Sequence, residues 1–192
     1  DAARTHYEGV LWKGFKFWAL SEILISSEIS DDDLKTALDI DGRSDLGLDG
    51  YVEDAEDQTL ILVQSKFHES PKGAGNKPLA DFREALPSKL RDPDVVAAAS
   101  NPRIADAHRA FLDAIENGWR IRFIFLWGGW LTPEGATYLS THASGQIDAS
   151  PVDLEVFDWT ALESLYDQHL ISQTISTDVQ LDLKDAQYHS VI

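Results

Sequence analysis

The stretch GRSDLGLDGYVEDAEDQTLILVQSKF, residues 42–67, decides the fold. Gly42, Gly47 and Gly50 punctuate its first half, and the pattern predicts a strand from about Leu48 to Glu53. A turn through Asp54–Asp57 then leads into a second strand, from about Thr59 to Phe67. Leu60–Val63 is an unbroken apolar run, so this second strand is expected to be buried on both faces. The hairpin sets Asp49 at the start of one strand and Gln64 and Lys66 near the end of the other.

Upstream, residues 3–27 read as a helix, with Tyr7, Leu11, Phe15, Trp18, Ile23 and Leu24 roughly on one side and Lys13, Lys16 and Glu22 elsewhere. Ser30 before three aspartates is an N-cap with acidic first-turn residues, which predicts a short helix over Asp31–Asp39. Downstream, His68–Lys77 carries Ser70, Pro71, Gly73, Gly75 and Asn76 and reads as a mobile loop. Helices are expected from about Pro78 to Lys89 and from Asp94 or Arg103 to Asn117, with Pro87 and Asn101-Pro102 breaking the pattern. A third strand, Arg120–Leu126, ends at Gly128 and Gly129. Thr132 caps a helix over Pro133–His142 with proline in its first turn. A fourth strand, Leu154–Phe157, precedes a helix from about Thr160 to His169, and Ile175–Leu183 alternates as an edge strand or arm would. The order predicts an α/β sandwich, a mixed central sheet covered by helices on both faces.

The bulk numbers bound the rest. With 192 residues and 43% hydrophobic content, one packed domain spanning 1–192 is expected. No apolar run is long enough to span a bilayer, and DAARTHYEG lacks the features of a secretory signal, so a cytoplasmic protein with no membrane partner is expected. The absence of cysteine excludes disulfides, thiolate metal sites and cysteine nucleophiles. Methionine is absent even at position 1, and the expectation is a fragment of a longer chain with other domains. Sixteen basic against 33 acidic residues give a net charge of −17, which opposes non-specific attraction to nucleic acid and confines any such contact to a local basic patch.

Gln64 and Lys66 are two apart on a strand, so they share a face while Ser65 points to the other. A four-residue turn brings Asp49 level with Gln64. Oxygen donors suit Mg²⁺ or Mn²⁺, here the Asp49 carboxylate, the Gln64 amide oxygen and the Ser65 backbone carbonyl. Phosphodiester hydrolysis needs an activated water and neutralised phosphate charge, and Lys66 is placed to orient or deprotonate that water or to stabilise the developing charge. A Q-x-K triplet in an ordinary strand is a solvated face; here it ends a buried strand, where polar groups are costly unless paired.

On these residues, DLGLDG at 45–50 followed by LVQSKF at 62–67, the chain resembles the PD-(D/E)xK nuclease superfamily. It is most similar to the Mrr-like restriction endonucleases and the N-terminal region of AIPR abortive-infection phage-resistance proteins. FIFLWGGWLTPEGATYLSTHAS and VDLEVFDWTALESLY resemble the later strands and helices of that core, extending the likeness over residues 10–170. The resemblance implies a restriction-endonuclease-like fold and a Mg²⁺-dependent DNA endonuclease of a restriction or phage-defence protein. It makes Asp49 the metal-binding aspartate, Gln64 the second metal-side residue, Lys66 the catalytic lysine and Asp45 a structural aspartate. The family's first-helix glutamate falls on Lys16 or Phe17, so Glu22 or Glu8 would have to take its place as a ligand. A catalytically silent nucleic-acid-binding or sensor module of the same fold is the alternative.

His68, Lys72 and Lys77 are the expected substrate contacts to DNA, with RNA as an alternative substrate, and a homodimer would account for paired cuts. The six histidines show no paired spacing for zinc, no G-x-S-x-G elbow occurs, and no Gly-rich phosphate loop follows a strand. Trp127 and Trp130 read as core or rim residues before base-stacking ones.

Overall fold

The computed structural model describes residues 11–24, 29–40, 45–68, 70–168 and 171. Helices α1 (Leu11–Ile23) and α2 (Asp31–Ala37) precede the hairpin of β1 (Gly50–Asp54) and β2 (Thr59–Lys66). Then come β3 (Lys72–Ala74) and α3 (Asn76–Ala80), which runs through a π-helical turn at Asp81–Ala85 into α4 (Leu86–Arg91). The chain continues through α5 (Pro93–Ala97), α6 (Arg103–Glu116), β4 (Arg120–Trp127), β5 (Gly129–Leu131) and α7 (Pro133–His142). The last elements among the described residues are β6 (Ser144–Ile147), β7 (Ser150–Phe157) and α8 (159–168). Glu8 and the expected arm at Ile175–Leu183 lie outside the described residues.

The main sheet has five strands in the order β1-β2-β4-β7-β6. β2, β4 and β7 run parallel at its centre, and β1 and β6 close the edges antiparallel, so the mixed α/β sheet expected from the sequence is present. Alternate residues of the central strands feed two cores. Leu60, Leu62, Phe123, Phe125 and Leu154 meet the layer of α3 to α7, while Ile61, Val63, Ile124 and Leu126 meet α1, α2 and α8. β2 is buried on both sides from Thr59 to Gln64 for this reason. Burial of the two apolar stripes is the main stabilising contribution, at about 1.5–3 kcal/mol for each fully buried large side chain.

Local signals set the helix ends where the sequence puts them. The Ser30 hydroxyl accepts from the Asp33 N–H, and the Thr132 hydroxyl accepts from the Gly135 N–H, each satisfying one of the donors a helix start leaves orphaned. Asn101 Oδ1 accepts from the Arg103 N–H at 2.9 Å, so Asn101-Pro102 does break the chain between α5 and α6. Pro87, expected to break its helix, does not. The π turn just before it widens the spiral, which relieves the clash a proline ring makes with the carbonyl four residues back.

Three further differences are instructive. The expected mobile loop at His68–Lys77 contains β3, paired parallel with β5 in a two-stranded sheet. Its close approach depends on Gly129, where a Cβ would stand 1.9 Å from the Lys72 carbonyl oxygen; the glycines here serve packing as well as turning. The β6–β7 hairpin, joined at Asp148 with φ 54°, extends the fourth strand back to Ser150. In α1, Lys16 joins Phe17, Ala19, Leu20 and Leu24 on the buried side, while Phe15, Trp18 and Ile23 are only half-buried. Among the described residues, no helix is long and apolar enough to cross a membrane.

Candidate active site

The turn before β1 delivers Asp49. Leu48 N–H donates to the Asp45 carbonyl at 2.9 Å, and the two central residues, Leu46 and Gly47, both have positive φ, 59° and 85°. Asp45 closes the turn through its side chain, whose Oδ1 accepts from the Gly47 N–H at 2.9 Å. A leucine with positive φ is strained, and such strain persists only where surrounding contacts hold it. Here the Leu46 side chain packs against the core and its carbonyl accepts from Lys89 Nζ at 3.3 Å.

Beyond the turn, Asp49 N–H donates to the Val63 carbonyl at 2.8 Å, which extends the β1–β2 register by one step and sets Asp49 beside Gln64. The carboxylate turns toward β2, where Oδ2 accepts from the Ser65 N–H at 2.7 Å. Gln64 Nε2 donates to the Gly47 carbonyl at 2.7 Å, which fixes the amide and leaves its oxygen at the other end. Gly47 is required for this contact, because a Cβ there would lie 2.9 Å from Gln64 Nε2 in addition to the left-handed backbone. We expect Gly47→Ala to lower stability by roughly 1–2 kcal/mol, measured by denaturant unfolding; an unchanged midpoint would show that the turn tolerates a side chain.

Asp49 is 9% exposed and Gln64 8%, whereas Ser65 and Lys66 are half-buried at the open end of the strand. Burial pushes the Asp49 carboxyl above its ordinary value of 3.8. The Ser65 N–H and the nearby cations of Lys66 and Lys16 pull it back, and Asp45 adds a smaller upward push. The sequence-predicted set of Asp49, Gln64, Ser65 and Lys66 is therefore brought together.

Lys16 was not among the expected site residues. It is 2% exposed, and its Nζ donates to the Leu38 carbonyl at 2.8 Å and to the Asp49 backbone carbonyl at 3.1 Å. A buried ammonium is tolerable only with such partners, and Leu38 caps the C-terminus of α2, where the helix dipole favours a cation. The signal available in the sequence is the spacing of Lys16 with Leu20 and Leu24, which places it on their side of the helix. Glu22 lies six residues along α1 from Lys16, about 9 Å along the axis and about 120° around it, so it does not share the lysine's approach to Asp49. Among the described residues no three His, Asp or Glu side chains gather as a metal-binding group. The oxygen donors at the site are still of the class Mg²⁺ accepts, with waters completing the shell.

The expected substrate contacts diverge. Burial, then the charges of Lys72 and Lys66, lowers the His68 pKa, and its ring lies edge-on to Trp127 with centroids 4.7 Å apart. Its Nε2 is buried without a hydrogen-bond partner among the described residues. Lys72 is exposed on β3, and its carbonyl accepts from Trp127 Nε1 at 2.6 Å. Lys77 instead pairs with Asp81 at 2.5 Å on its own helix. Trp127 stacks on Phe125 in the core, while Trp130 is 52% exposed.

Neither a family model, a curated protein nor a solved structure matches this chain. The geometry above is therefore the basis for function.

Proposed function

We propose that this chain is a metal-dependent nuclease domain of a restriction or phage-defence protein, with a restriction-endonuclease-like sandwich and DNA, or else RNA, as substrate. The observation that carries it is the 2.7 Å hydrogen bond from the Ser65 N–H to Asp49 Oδ2, which holds the carboxylate against the strand bearing Gln64 and Lys66. Asp49, the Gln64 amide oxygen and the Ser65 carbonyl are the residues that would hold Mg²⁺ or Mn²⁺. A divalent cation there supplies Lewis-acid charge to the phosphate and acidifies a bound water. Lys66 sits at the half-open strand end, close enough to act electrostatically on Asp49, and its ammonium donates to a non-bridging phosphate oxygen as charge develops. Burial and the charges of Lys72 and Lys66 disfavour the protonated form of the His68 imidazole next to this strand end.

One observation favours a second reading, a silent binding or sensor module of this fold. The first-helix position that the resemblance assigns to a glutamate falls on Lys16 or Phe17, both buried and neither a carboxylate. Incubating supercoiled plasmid and structured RNA with the purified protein in Mg²⁺, Mn²⁺ or EDTA separates the two. A nuclease nicks with metal and not with EDTA; intact substrates under every condition favour the silent module.

A further inference from the structure

A pocket of about 350 Å³ lies at the β1 edge, lined by Lys13 and Lys16 of α1, Lys35 of α2, Arg103 of α6 and Asp39. Four cations line it beside Asp39, with Asp32 4.0 Å from Lys35, in a chain whose net charge is −17. A single exposed lysine is ordinary solvated surface. This grouping differs because three elements contribute to it, Lys16 is fully buried at its wall, and Arg103 Nε is buried with no hydrogen-bond partner among the described residues. The Arg103 guanidinium lies over the Tyr51 ring, 5.2 Å from its centroid, so its orientation is fixed. Lys16 also joins the pocket to the candidate site, since its Nζ bonds the Asp49 carbonyl.

From this convergence we propose that the pocket binds the phosphate groups of a nucleic-acid strand whose scissile bond lies at Asp49 and Lys66. The proposal rests on the nuclease reading for the position of the strand. Focusing of positive potential in a cleft also explains how an acidic protein would meet a polyanion at all.

The test is fluorescence anisotropy in EDTA with a fluorescein-labelled 20-nucleotide DNA, single-stranded and duplex, titrated with wild type, a Lys13→Ala/Lys35→Ala/Arg103→Ala variant and an Arg109→Ala control. The triple variant is expected to bind at least tenfold more weakly, with the slope of log K against log salt reduced by about 2–3, as loss of three phosphate contacts requires. Arg109→Ala, which removes an exposed charge elsewhere on α6, is expected to change affinity less than twofold. Single Lys13→Gln and Lys35→Gln variants, each expected to weaken binding two- to threefold, keep the test open if the triple variant misfolds. Equal binding by wild type and the pocket variants, or no binding by wild type, overturns the proposal. So does inorganic pyrophosphate that binds the pocket but is not displaced by either DNA, which would make the ligand a free phosphate. Pocket-dependent binding without cleavage in Mg²⁺ would remove the nuclease reading, and with it the scissile bond at Asp49 and Lys66, while leaving the pocket as the phosphate site; cleavage with pocket-independent binding would remove the pocket proposal alone.

Discussion

Asp49→Asn is expected to abolish cleavage while leaving the fold as stable as wild type or more so. Asparagine keeps an oxygen for the Ser65 N–H and the shape of the side chain, so the turn and the β1–β2 register persist. It removes the negative charge that would hold a divalent cation, for which a rate loss of at least about a hundredfold is the scale seen when metal-site or charge-stabilising groups are removed. The stability effect has the opposite sign because burial is the largest influence on Asp49 and disfavours its ionised form. A carboxyl whose folded pKa is raised stabilises the fold below its unfolded value, and that contribution is lost as pH rises through the folded pKa. In EDTA the melting temperature of Asp49→Asn relative to wild type should therefore increase from pH 4 to pH 8. Thermal melts across that range check the sign. A relative loss of stability with rising pH would mean that the Lys16, Lys66 and Ser65 contacts outweigh burial. Lys66→Ala, at the half-open end of the strand, should lose cleavage on a similar scale, about 10²–10³-fold, without the gain in stability.

Lys16→Ala is expected to produce the largest loss of stability of any single substitution considered, about 2–4 kcal/mol, or on the order of 10 °C in melting temperature. Two effects add. The side-chain stem is buried in the α1 layer, so truncation leaves a cavity, and the Leu38 and Asp49 carbonyls lose a shared donor. Lys16→Met separates them, since it fills the space without the donor and should cost only the unsatisfied carbonyls, roughly 1–3 kcal/mol. Denaturant unfolding of both variants measures the difference. If Lys16→Ala unfolds within 0.5 kcal/mol of wild type, a threshold set by the usual range of surface substitutions, the lysine is not the anchor of Asp49. Because it ties α1, the end of α2 and the entry to β1 together, its loss should also loosen the carboxylate and reduce cleavage.

The sequence made some elements legible because their causes are local. Ser30 and Thr132 announce helix starts by chemistry that acts within three residues, and the apolar run Leu60–Val63 can only be a strand or a helix segment buried on both sides. Asp49, Gln64 and Lys66 were legible as a set because a hairpin's register follows from the turn and the two-residue alternation. Long-range causes were hidden. Lys16 counts as polar in any helical pattern, and its burial depends on carbonyls 22 and 33 residues away. β3 and β5 are three residues each and pair across more than 50 positions, so their glycines read as loop until the Lys72–Gly129 contact is seen. β6 is short and mostly exposed, and SGQI carries no apolar alternation to mark it. Pro87 was expected to end a helix because nothing in the composition signals the π turn that admits it.

The most direct test of the site is a crystal of the protein with a phosphodiester oligonucleotide and Mn²⁺, examined for anomalous density. A nuclease centred here places Mn²⁺ against Asp49 with the Gln64 amide oxygen and Ser65 carbonyl in its shell, a phosphate oxygen completing it and Lys66 at hydrogen-bond distance from that phosphate. Bound oligonucleotide with no Mn²⁺ at Asp49, or with its phosphates away from Lys66, would contradict it.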